Sequence, residues 1–533
     1  MTRWWHDEAI YQIYPRSFQD SDGDGVGDLE GIRRRLPHIA ELGVGAIWLS
    51  PIFLSPMRDY GYDIADYRAI DPLFGDMEDF DRLLEETHAQ GLKLLLDFVP
   101  NHTSDEHEWF KESAKSRENP RRDWYIWKDP APDGGPPNNW QSNFGGSAWE
   151  WDEATGQYYY HAFLKSQPDL NWRNPAVRSA MLDHLRFWLD KGVDGFRVDV
   201  IWHLIKDAQF RDNPPNPDWH PGRPDIDRYL QTHSADQPEV HGVIAEMRAV
   251  IDAYPGRLLI GEIYLPIERL VTYYGEAGEG VHLPFNFQLL SAAWEPQHLA
   301  ALIDEYEEAV PGHGWPNWVL SNHDQPRIAA RVGEAQAKVA AMLLLTLRGT
   351  PTLYYGDEIG IGQVEIPADR IHDPWAKQEP DTSFNRDKAR TPMQWSEAEH
   401  AGFSTQEPWL PLTDDRAGRN VAALARDNSS ILCLYRALLG LRRQEEALRT
   451  GSYRLLCADE SVLAYERCTA ESRIGVVLNM TDRPAEIVLP DRFGGAEVLF
   501  GILPGADRPS GDGRLSVRPG DGIILRGKAG EGS

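Results

Sequence analysis

An arginine and an aspartate lie two residues apart in the apolar stretch 195–200, as Arg197 and Asp199. In a β-strand this spacing places both side chains on one face and the apolar residues on the other. A neighbouring arginine favours the ionised carboxylate and lowers its pKa, which suits a nucleophile at neutral pH. A structural ion pair has the same spacing, so this stretch alone leaves both interpretations open.

A second group of acidic residues forms a loop near the start of the chain. Side-chain oxygens occupy loop positions 1, 3, 5 and 9, glycine occupies position 6, and position 7 offers a backbone carbonyl, which is most of a calcium loop. These residues are Asp20, Asp22, Asp24, Asp28, Gly25 and Val26, respectively. Gly31 stands where an EF-hand has its bidentate glutamate. The pattern predicts a structural metal site that prefers calcium to magnesium, with a plain acidic turn as the alternative.

Strand-like and helix-like segments alternate over about 400 residues. This alternation predicts a parallel α/β fold and, at this length, a (β/α)8 TIM barrel, in which chemistry occurs at the carboxyl ends of the strands. Four predicted strands end in polar residues: Asp97, Asn101 and His102; Arg197 and Asp199; Glu262; and Asn322, His323 and Asp324. We therefore expect these side chains to converge on one site.

The barrel pattern is interrupted once and then gives way to another pattern. Residues 103–171 are rich in Pro, Gly, Asn and Trp, and they predict a lid domain inserted after the third strand. Short alternating strands with turn residues predict a C-terminal β-sandwich over 451–533. The catalytic barrel would then comprise residues 1–102 and 172–450.

The 533-residue chain is acidic, with a formal net charge of −29. This charge disfavours nucleic acids and anionic membranes as partners and allows a neutral small-molecule substrate. No apolar run approaches the roughly 20 residues that span a bilayer, and the N-terminal residues lack the apolar core of a signal peptide. Three cysteines suit a reducing compartment. We expect a cytoplasmic monomer or small homo-oligomer.

Six motifs resemble signatures of the α-amylase family, glycoside hydrolase family 13. Four of them are the strand ends described above, and the other two are the stretches 61–67 and 349–358. The resemblance covers nearly the whole chain. Within it, residues 167–171 (Gln-Pro-Asp-Leu-Asn) resemble the marker of the bacterial α-glucosidase and oligo-1,6-glucosidase branch.

The resemblance implies a retaining glycosidase mechanism. Asp199 would be the nucleophile that forms a β-glucosyl ester, which water or a sugar hydroxyl resolves. Glu262 would be the general acid and then the base, and Asp324 would stabilise the oxocarbenium-like transition state. Such enzymes need one ionised and one protonated carboxyl group. Glu262 follows apolar residues 258–260, where desolvation would raise its pKa.

The resemblance also implies a substrate pocket for one terminal glucose. His102 and His323 would donate hydrogen bonds to the sugar, Tyr62 would stack on its ring, and Arg197 would support the nucleophile. Asp59 and Arg390 match a pair that closes the pocket and holds the far hydroxyls, so that the enzyme removes single units from the non-reducing end. For this last pair, a surface salt bridge is the alternative.

The sequence gives weaker evidence about which type of glucosidic bond the enzyme prefers. Val200 matches relatives that accept α-1,6 bonds, whereas Trp202 and His203 depart from the oligo-1,6-glucosidase pattern. We expect broad exo-α-glucosidase activity that includes α-1,6 bonds, with some transglucosylation. A sucrose- or trehalose-acting transglucosidase or isomerase is the alternative, although residues 383–387 replace the arginine-rich stretch of sucrose isomerases. A non-catalytic binding subunit is more distant, because the chain retains all three carboxylates.

Overall fold

Eight parallel strands form the central sheet of the computed structural model, which describes residues 3–380 and 384–528. We number them β1 to β8 along the chain: Ile10–Ile13, Ala46–Leu49, Lys93–Phe98, Gly195–Val198, Leu258–Gly261, Leu283–Pro284, Asn317–Val319 and Thr350–Tyr354. Their spatial order is β6-β5-β4-β3-β2-β1-β8-β7, so the sheet curls into a nearly closed barrel. The predicted TIM-barrel fold is confirmed.

Helices follow the strands and cover the outside of the barrel. We number them α1 to α8: Leu29–Leu42, Met77–Ala89, Pro175–Lys191, Val240–Asp252, Ile267–Leu270, Pro296–Ala309, Glu334–Thr346 and Ile431–Gln444. The remaining α-helices are Trp4–Asp7, Glu108–Ser113, Gln288–Ser291, Ile328–Val332, Pro374–Gln378, Val421–Leu424 and Glu446–Thr450. Local sequence signals explain the ends of α3, where Asn174 caps the first turn ahead of Pro175 and Gly192 ends the helix in the left-handed conformation.

The register of neighbouring strands brings the predicted site residues together. Asp97 on β3 is the direct neighbour of Arg197 on β4, and Ile260 on β5 lies on the other side of Arg197. Glu262 follows β5 by one residue. Strand β4 ends at Val198, two residues earlier than the predicted strand over 195–200, so Asp199 lies just beyond it.

Two long connections rise from the carboxyl end of the barrel. Between β3 and α3, the strands Trp127–Lys128, Trp149–Asp152 and Gln157–Tyr160 form an antiparallel sheet within the predicted lid segment. Its small core is aromatic, with Trp140 and Tyr160 buried. The second connection, over residues 199–239, joins β4 to α4 without a long helix.

The C-terminal part is an antiparallel β-structure, as the alternating pattern predicts. Its strands are Ser452–Ala458, Val462–Cys468, Arg473–Asn479, Ala485–Val488, Glu497–Gly501, Arg514–Val517 and Gly522–Arg526. Five of them form one sheet, and the fourth and sixth form a separate pair. Among the described residues, no helix combines the length and the apolar character needed to cross a bilayer.

Candidate active site

The carboxyl end of the barrel opens into a cavity of about 340 Å³, a size typical of small-molecule sites. Most of the predicted site residues line it: Asp59, Tyr62, His102, Asp199, Val200, Glu262, His323 and Asp324. They come from several different strand ends and loops. Arg197 is fully buried behind this wall, and Arg390 does not line the cavity.

Arg197 connects the two carboxyl groups predicted to do the chemistry. Its Nη1 donates to Oδ1 of Asp97 at 2.8 Å and to Oδ1 of Asp199 at 2.7 Å. Its Nη2 lies 2.8 Å from Oε2 of Glu262. The carboxyl groups of Asp199 and Glu262 are also close enough to affect each other's pKa. One cation therefore holds three carboxyl groups in a buried cluster.

The expected lowering of the pKa of Asp199 is wrong. Burial, followed by the charge of Glu262, raises the pKa of Asp199 well above its ordinary value, and Arg197 offsets this only in part. Burial likewise raises the pKa of Glu262 against the opposing charge of Arg197. Because two carboxylates in contact resist double ionisation, the pair retains one proton and titrates as a unit.

Val200 adopts a backbone conformation that is unusual for its residue type. Its φ of 35° and ψ of 45° are left-handed, which is strained for a β-branched residue. The extended strand conformation expected for Val200 is therefore wrong. In this conformation its backbone N–H donates to Oε2 of Glu262 at 2.8 Å. Since Oε2 also faces Arg197, a proton on Glu262 would be accommodated on Oε1.

The two predicted sugar-binding histidines are buried and neutral. Burial lowers the pKa of His102 to about 4 and that of His323 to about 3. The ring of His323 stacks on Tyr62 with centroids 5.3 Å apart, and its Nε2 lies 2.7 Å from the Tyr62 hydroxyl. Because Gln12 donates to Nδ1 of His323 at 2.9 Å, the ring proton is on Nε2, which is therefore the donor.

Arg386, and not Arg390, forms the ion pair with Asp59. Arg386 donates from Nη2 to Oδ1 of Asp59 at 2.9 Å and also contacts Asp373 at 2.8 Å. Arg390 instead donates to Oδ1 of Asp324 at 3.0 Å and to the carbonyl of His323 at 2.9 Å. The predicted Asp59–Arg390 pair is thus corrected to Asp59–Arg386. The reason is that Arg386 faces the cavity while Arg390 lies behind Asp324.

Asp324 lies between these two arginines. Burial opposes its ionisation, but His323, Arg390 and Arg386 outweigh burial and lower the pKa of Asp324 below its ordinary value. Asp324 is therefore an ionised carboxylate at neutral pH, in contrast to the proton-sharing pair of Asp199 and Glu262.

Some residues of the site were missed in the sequence. The motif around Arg390 is the more conspicuous one, so the sequence does not point to Arg386. Gln167, which belongs to the branch marker, donates to Oδ2 of Asp59 at 3.1 Å and so fixes that carboxylate. Phe144 and Trp375 stack on each other at 5.4 Å and line the cavity, Phe144 from a loop and Trp375 from the short helix Pro374–Gln378; no local sequence pattern predicts such a long-range aromatic contact.

The acidic loop lies in a separate place, before α1. Carboxylate oxygens of Asp20, Asp22 and Asp28 lie within 4.8 Å of one another, which fits the oxygen ligands of a hard cation. Asp24 is not part of this group, and its carboxylate accepts the backbone N–H of Val26 at 2.7 Å. Three of the five predicted ligands thus form a carboxylate cluster.

Known proteins resemble the chain over nearly its whole length. Residues 12–451 match the family model for the alpha amylase catalytic domain. A probable alpha-glucosidase of Rhizobium meliloti (strain 1021) is 43% identical over 503 residues, covering 91% of each chain. An oligo-1,6-glucosidase of Heyndrickxia coagulans is 40% identical over 532 residues, covering 92% of this chain and 94% of that protein.

A solved protein structure also resembles this chain closely over nearly its whole length. It is described as an alpha-glucosyl transfer enzyme, with a TM-score of 0.93 and 41% identity, over 99% of this chain and 100% of that one. The catalytic-domain match and these relatives confirm the resemblance seen in the sequence motifs: the chain belongs to the α-amylase family, glycoside hydrolase family 13.

Proposed function

We propose that the protein is a retaining α-glucosidase that removes single glucose units from the non-reducing ends of disaccharides and short oligosaccharides. The observation that carries this proposal is the contact of one guanidinium, that of Arg197, with both Asp199 and Glu262 at the cavity wall. Carboxyl groups held on one guanidinium fit the separation of about 5 Å in retaining enzymes better than the wider spacing of inverting ones.

The first step would use both members of the proton-sharing pair. Asp199 attacks the anomeric carbon as the bond to the leaving oxygen breaks, and Glu262 gives its proton to that oxygen. Water then gives a proton to Glu262 and attacks the same carbon, which frees Asp199 and releases α-glucose. Asp324, ionised beside the cavity, would stabilise the positive charge that develops on the sugar ring.

The closed end of the cavity supports action on a terminal glucose. Asp59 is buried and held by Arg386 and Gln167, and these groups can hydrogen-bond the hydroxyls farthest from the cleaved bond. Tyr62 and the neutral His323 form one wall against the ring, and His102 lies beside them. A longer chain could then extend only through the open side, which corresponds to removal of one unit at a time.

Transfer to sugar hydroxyls competes with hydrolysis in this proposal. The relatives named probable alpha-glucosidase and oligo-1,6-glucosidase support hydrolysis of several linkages, α-1,6 included. The structural relative named as an alpha-glucosyl transfer enzyme favours a transglucosidase as the second candidate. Both activities share the glucosyl ester on Asp199 and differ only in whether water or a hydroxyl resolves it.

We also propose that the loop before α1 holds a structural Ca²⁺. Asp20, Asp22 and Asp28 supply clustered carboxylates, and calcium accepts the irregular geometry of such loops more readily than magnesium does. The ion would stabilise the loop and take no part in the chemistry. All three cysteines are free thiols, which supports a location in the reducing cytoplasm.

Glucose release from maltose, isomaltose, trehalose and sucrose tests the enzymatic proposal, with Asp199→Asn as the comparison. NMR spectroscopy follows the first anomer formed and any transfer products. We expect α-glucose first from wild type and a loss of at least about 10³-fold in the variant. Transfer or isomer products with little free glucose would favour the second candidate. No turnover by folded protein would refute both.

A further inference from the structure

The open side of the cavity differs from its closed end in burial. The residues at the closed end, such as Asp59 and His102, are buried. The residues Ile226, Asp227, Gln231, Gln325 and Trp375 are only half-buried, and Tyr264 is 39% exposed. These six residues, which we call the cavity mouth, all line the cavity. The sugar or other group released with the glucosidic oxygen must therefore lie among them.

The charges that line the cavity are predominantly negative. Five carboxyl groups line it, those of Asp59, Asp199, Asp227, Glu262 and Asp324, against one arginine, Arg386. That arginine is already occupied, because its guanidinium contacts Asp59 at 2.9 Å, Asp373 at 2.8 Å and Asp324 at 3.5 Å. The histidines in the lining are neutral, since burial lowers their pKa values.

Asp227 is the carboxylate of this set that lies at the mouth. It belongs to the turn Asp225–Arg228, in the connection between β4 and α4. The turn is fixed from two sides: the N–H of Asp225 donates to Glu379 at 2.8 Å, and the Asn216 amide donates to the carbonyl of Asp227 at 2.8 Å. Within the described residues, no hydrogen bond or ion pair engages the Asp227 carboxylate, so it is available to a ligand.

We infer that Asp227 makes the cavity mouth select substrates by the charge of the leaving group. An ammonium-bearing sugar is favoured over a neutral one, and a phosphate-bearing sugar is disfavoured. The reason is electrostatic: at a distance of about 6 Å and an effective dielectric constant of about 40, one unit charge changes binding by about tenfold. This inference rests on the proposed glucosidase function and specifies the substrate class of that site.

Three disaccharide substrates test the inference. Each is an α-glucosyl-glucose whose linkage the enzyme cleaves and which leaves carbon 6 of the reducing glucose free, such as the α-1,4 linkage; the three differ only at that carbon, which carries a hydroxyl, an ammonium or a phosphate group. The values of kcat/KM are measured at low salt for wild type, Asp227→Asn and Asp218→Asn. Asp218 is the matched control, because it lies on the same connection, is exposed and does not line the cavity.

We expect wild type to prefer the substrates in the order ammonium, hydroxyl, phosphate. In Asp227→Asn the ratio of kcat/KM for ammonium to phosphate falls by at least about tenfold, whereas Asp218→Asn keeps the wild-type ratio. Steric rejection of phosphate would be unaffected by this nearly isosteric substitution. Equal ratios in wild type and Asp227→Asn, with the hydroxyl substrate still cleaved, would overturn the inference. Failure to cleave any neutral disaccharide would instead refute the glucosidase proposal.

Discussion

At Arg197, one positive charge faces three buried carboxyl groups, those of Asp97, Asp199 and Glu262. Burial raises the pKa of each of them, that of Asp97 to about 6. A single cation cannot compensate three carboxylates removed from water. In the proposed mechanism the cluster keeps one proton, which serves as the general acid beside an ionised nucleophile.

The proton-sharing pair predicts the pH dependence of activity. The active form carries one proton, so kcat/KM should fall in acid, when the pair gains a second proton, and in base, when it loses the first. In Glu262→Gln the amide has no proton to lose. With an activated aryl α-glucoside that needs no acid, we expect the basic limb to disappear and the acidic limb to remain. Initial rates across the pH range measure both limbs.

A control separates the general acid from a structural effect. Glu262→Ala with azide should release α-glucosyl azide from the activated substrate, because a small nucleophile can reach the intermediate without a general base. If the basic limb persisted in Glu262→Gln, or if azide were not incorporated by folded Glu262→Ala, the role of Glu262 would have to be reassigned.

The contacts of Arg386 predict that activity requires a guanidinium group at the closed end of the cavity. Its planar fork contacts Asp59 and Asp373 at once, which an ammonium group cannot reproduce. We expect Arg386→Lys to lower kcat/KM for disaccharides about 100-fold, or about 3 kcal/mol. Steady-state kinetics measure this loss, with Arg370→Lys as the control because Arg370 pairs with Glu407 at the surface. Equal effects of the two substitutions would contradict the role given to Arg386.

At the scale of elements, the sequence predicted what periodicity and strand ends can reveal. The barrel and its C-terminal sheet followed from the alternation of patterns, and the polar strand ends indicated where the cavity forms. Strand β6, Leu283–Pro284, has only two residues, too few to show a period. The left-handed conformation of Val200 could not be predicted either, because tertiary contacts impose it against the preference of the residue.

The sequence also could not predict which side chains from distant segments contact each other. Arg386 and Arg390 are four positions apart and equally suited to a carboxylate, so only the fold decides which of them faces Asp59. The aromatic contact of Phe144 with Trp375 has the same origin. By contrast, the loop before α1 showed its acidic pattern directly, although only three of its four aspartates converge.

That loop predicts a dependence of thermal stability on calcium. Asp28 also caps α1 by accepting the N–H of Gly31 at 2.6 Å, so a bound ion would stabilise both the loop and the first turn of the helix. We expect chelation by EGTA to lower Tm by several degrees and added Ca²⁺ to restore it. Differential scanning calorimetry gives the shift.

The variant Asp22→Asn should abolish this calcium response, since it removes one carboxylate of the cluster while keeping its shape. Asp133→Asn is the matched control, because Asp133 lies in another exposed turn and accepts the N–H of Gly135. An unchanged Tm in EGTA would indicate that the loop is a plain acidic turn without a structural ion. Equal recovery of Tm with Mg²⁺ would contradict the preference for calcium.

At the scale of the whole molecule, two buried arginines lie where the barrel meets the C-terminal sheet, and both donate to the carbonyl of Leu448. Arg442 on α8 donates to the carbonyls of Leu345 and Gly349, and Arg467 donates to the carbonyl of Thr346 at 2.7 Å. Neither forms an ion pair with a described carboxylate. They instead satisfy the carbonyl groups at the end of α7, where the helix leaves them without backbone partners.

The contacts of Arg467 predict a large loss of stability on truncation. Arg467→Met would leave the carbonyls of Thr346, Leu448 and Gly451 without this donor. We expect the free energy of unfolding to fall by about 3 kcal/mol. Urea unfolding, followed by circular dichroism and by activity, measures the change. Arg454→Met is the control, since Arg454 is exposed and is only one of three arginines that pair with Glu466; a similar loss in both variants would refute this view of the domain junction.

The ion pair between Asp59 and Arg386 spans 327 positions of the chain, and this has a consequence for protein synthesis. A ribosome adds about 5–20 residues per second, so Asp59, Asp199 and Glu262 leave the exit tunnel well before Arg386 does. During that interval the nascent chain contains the carboxyl groups of the proposed mechanism but not the arginine that pairs with Asp59. Glucosidase activity should therefore arise only near the end of translation, and an interrupted chain ending before residue 386 should be inert.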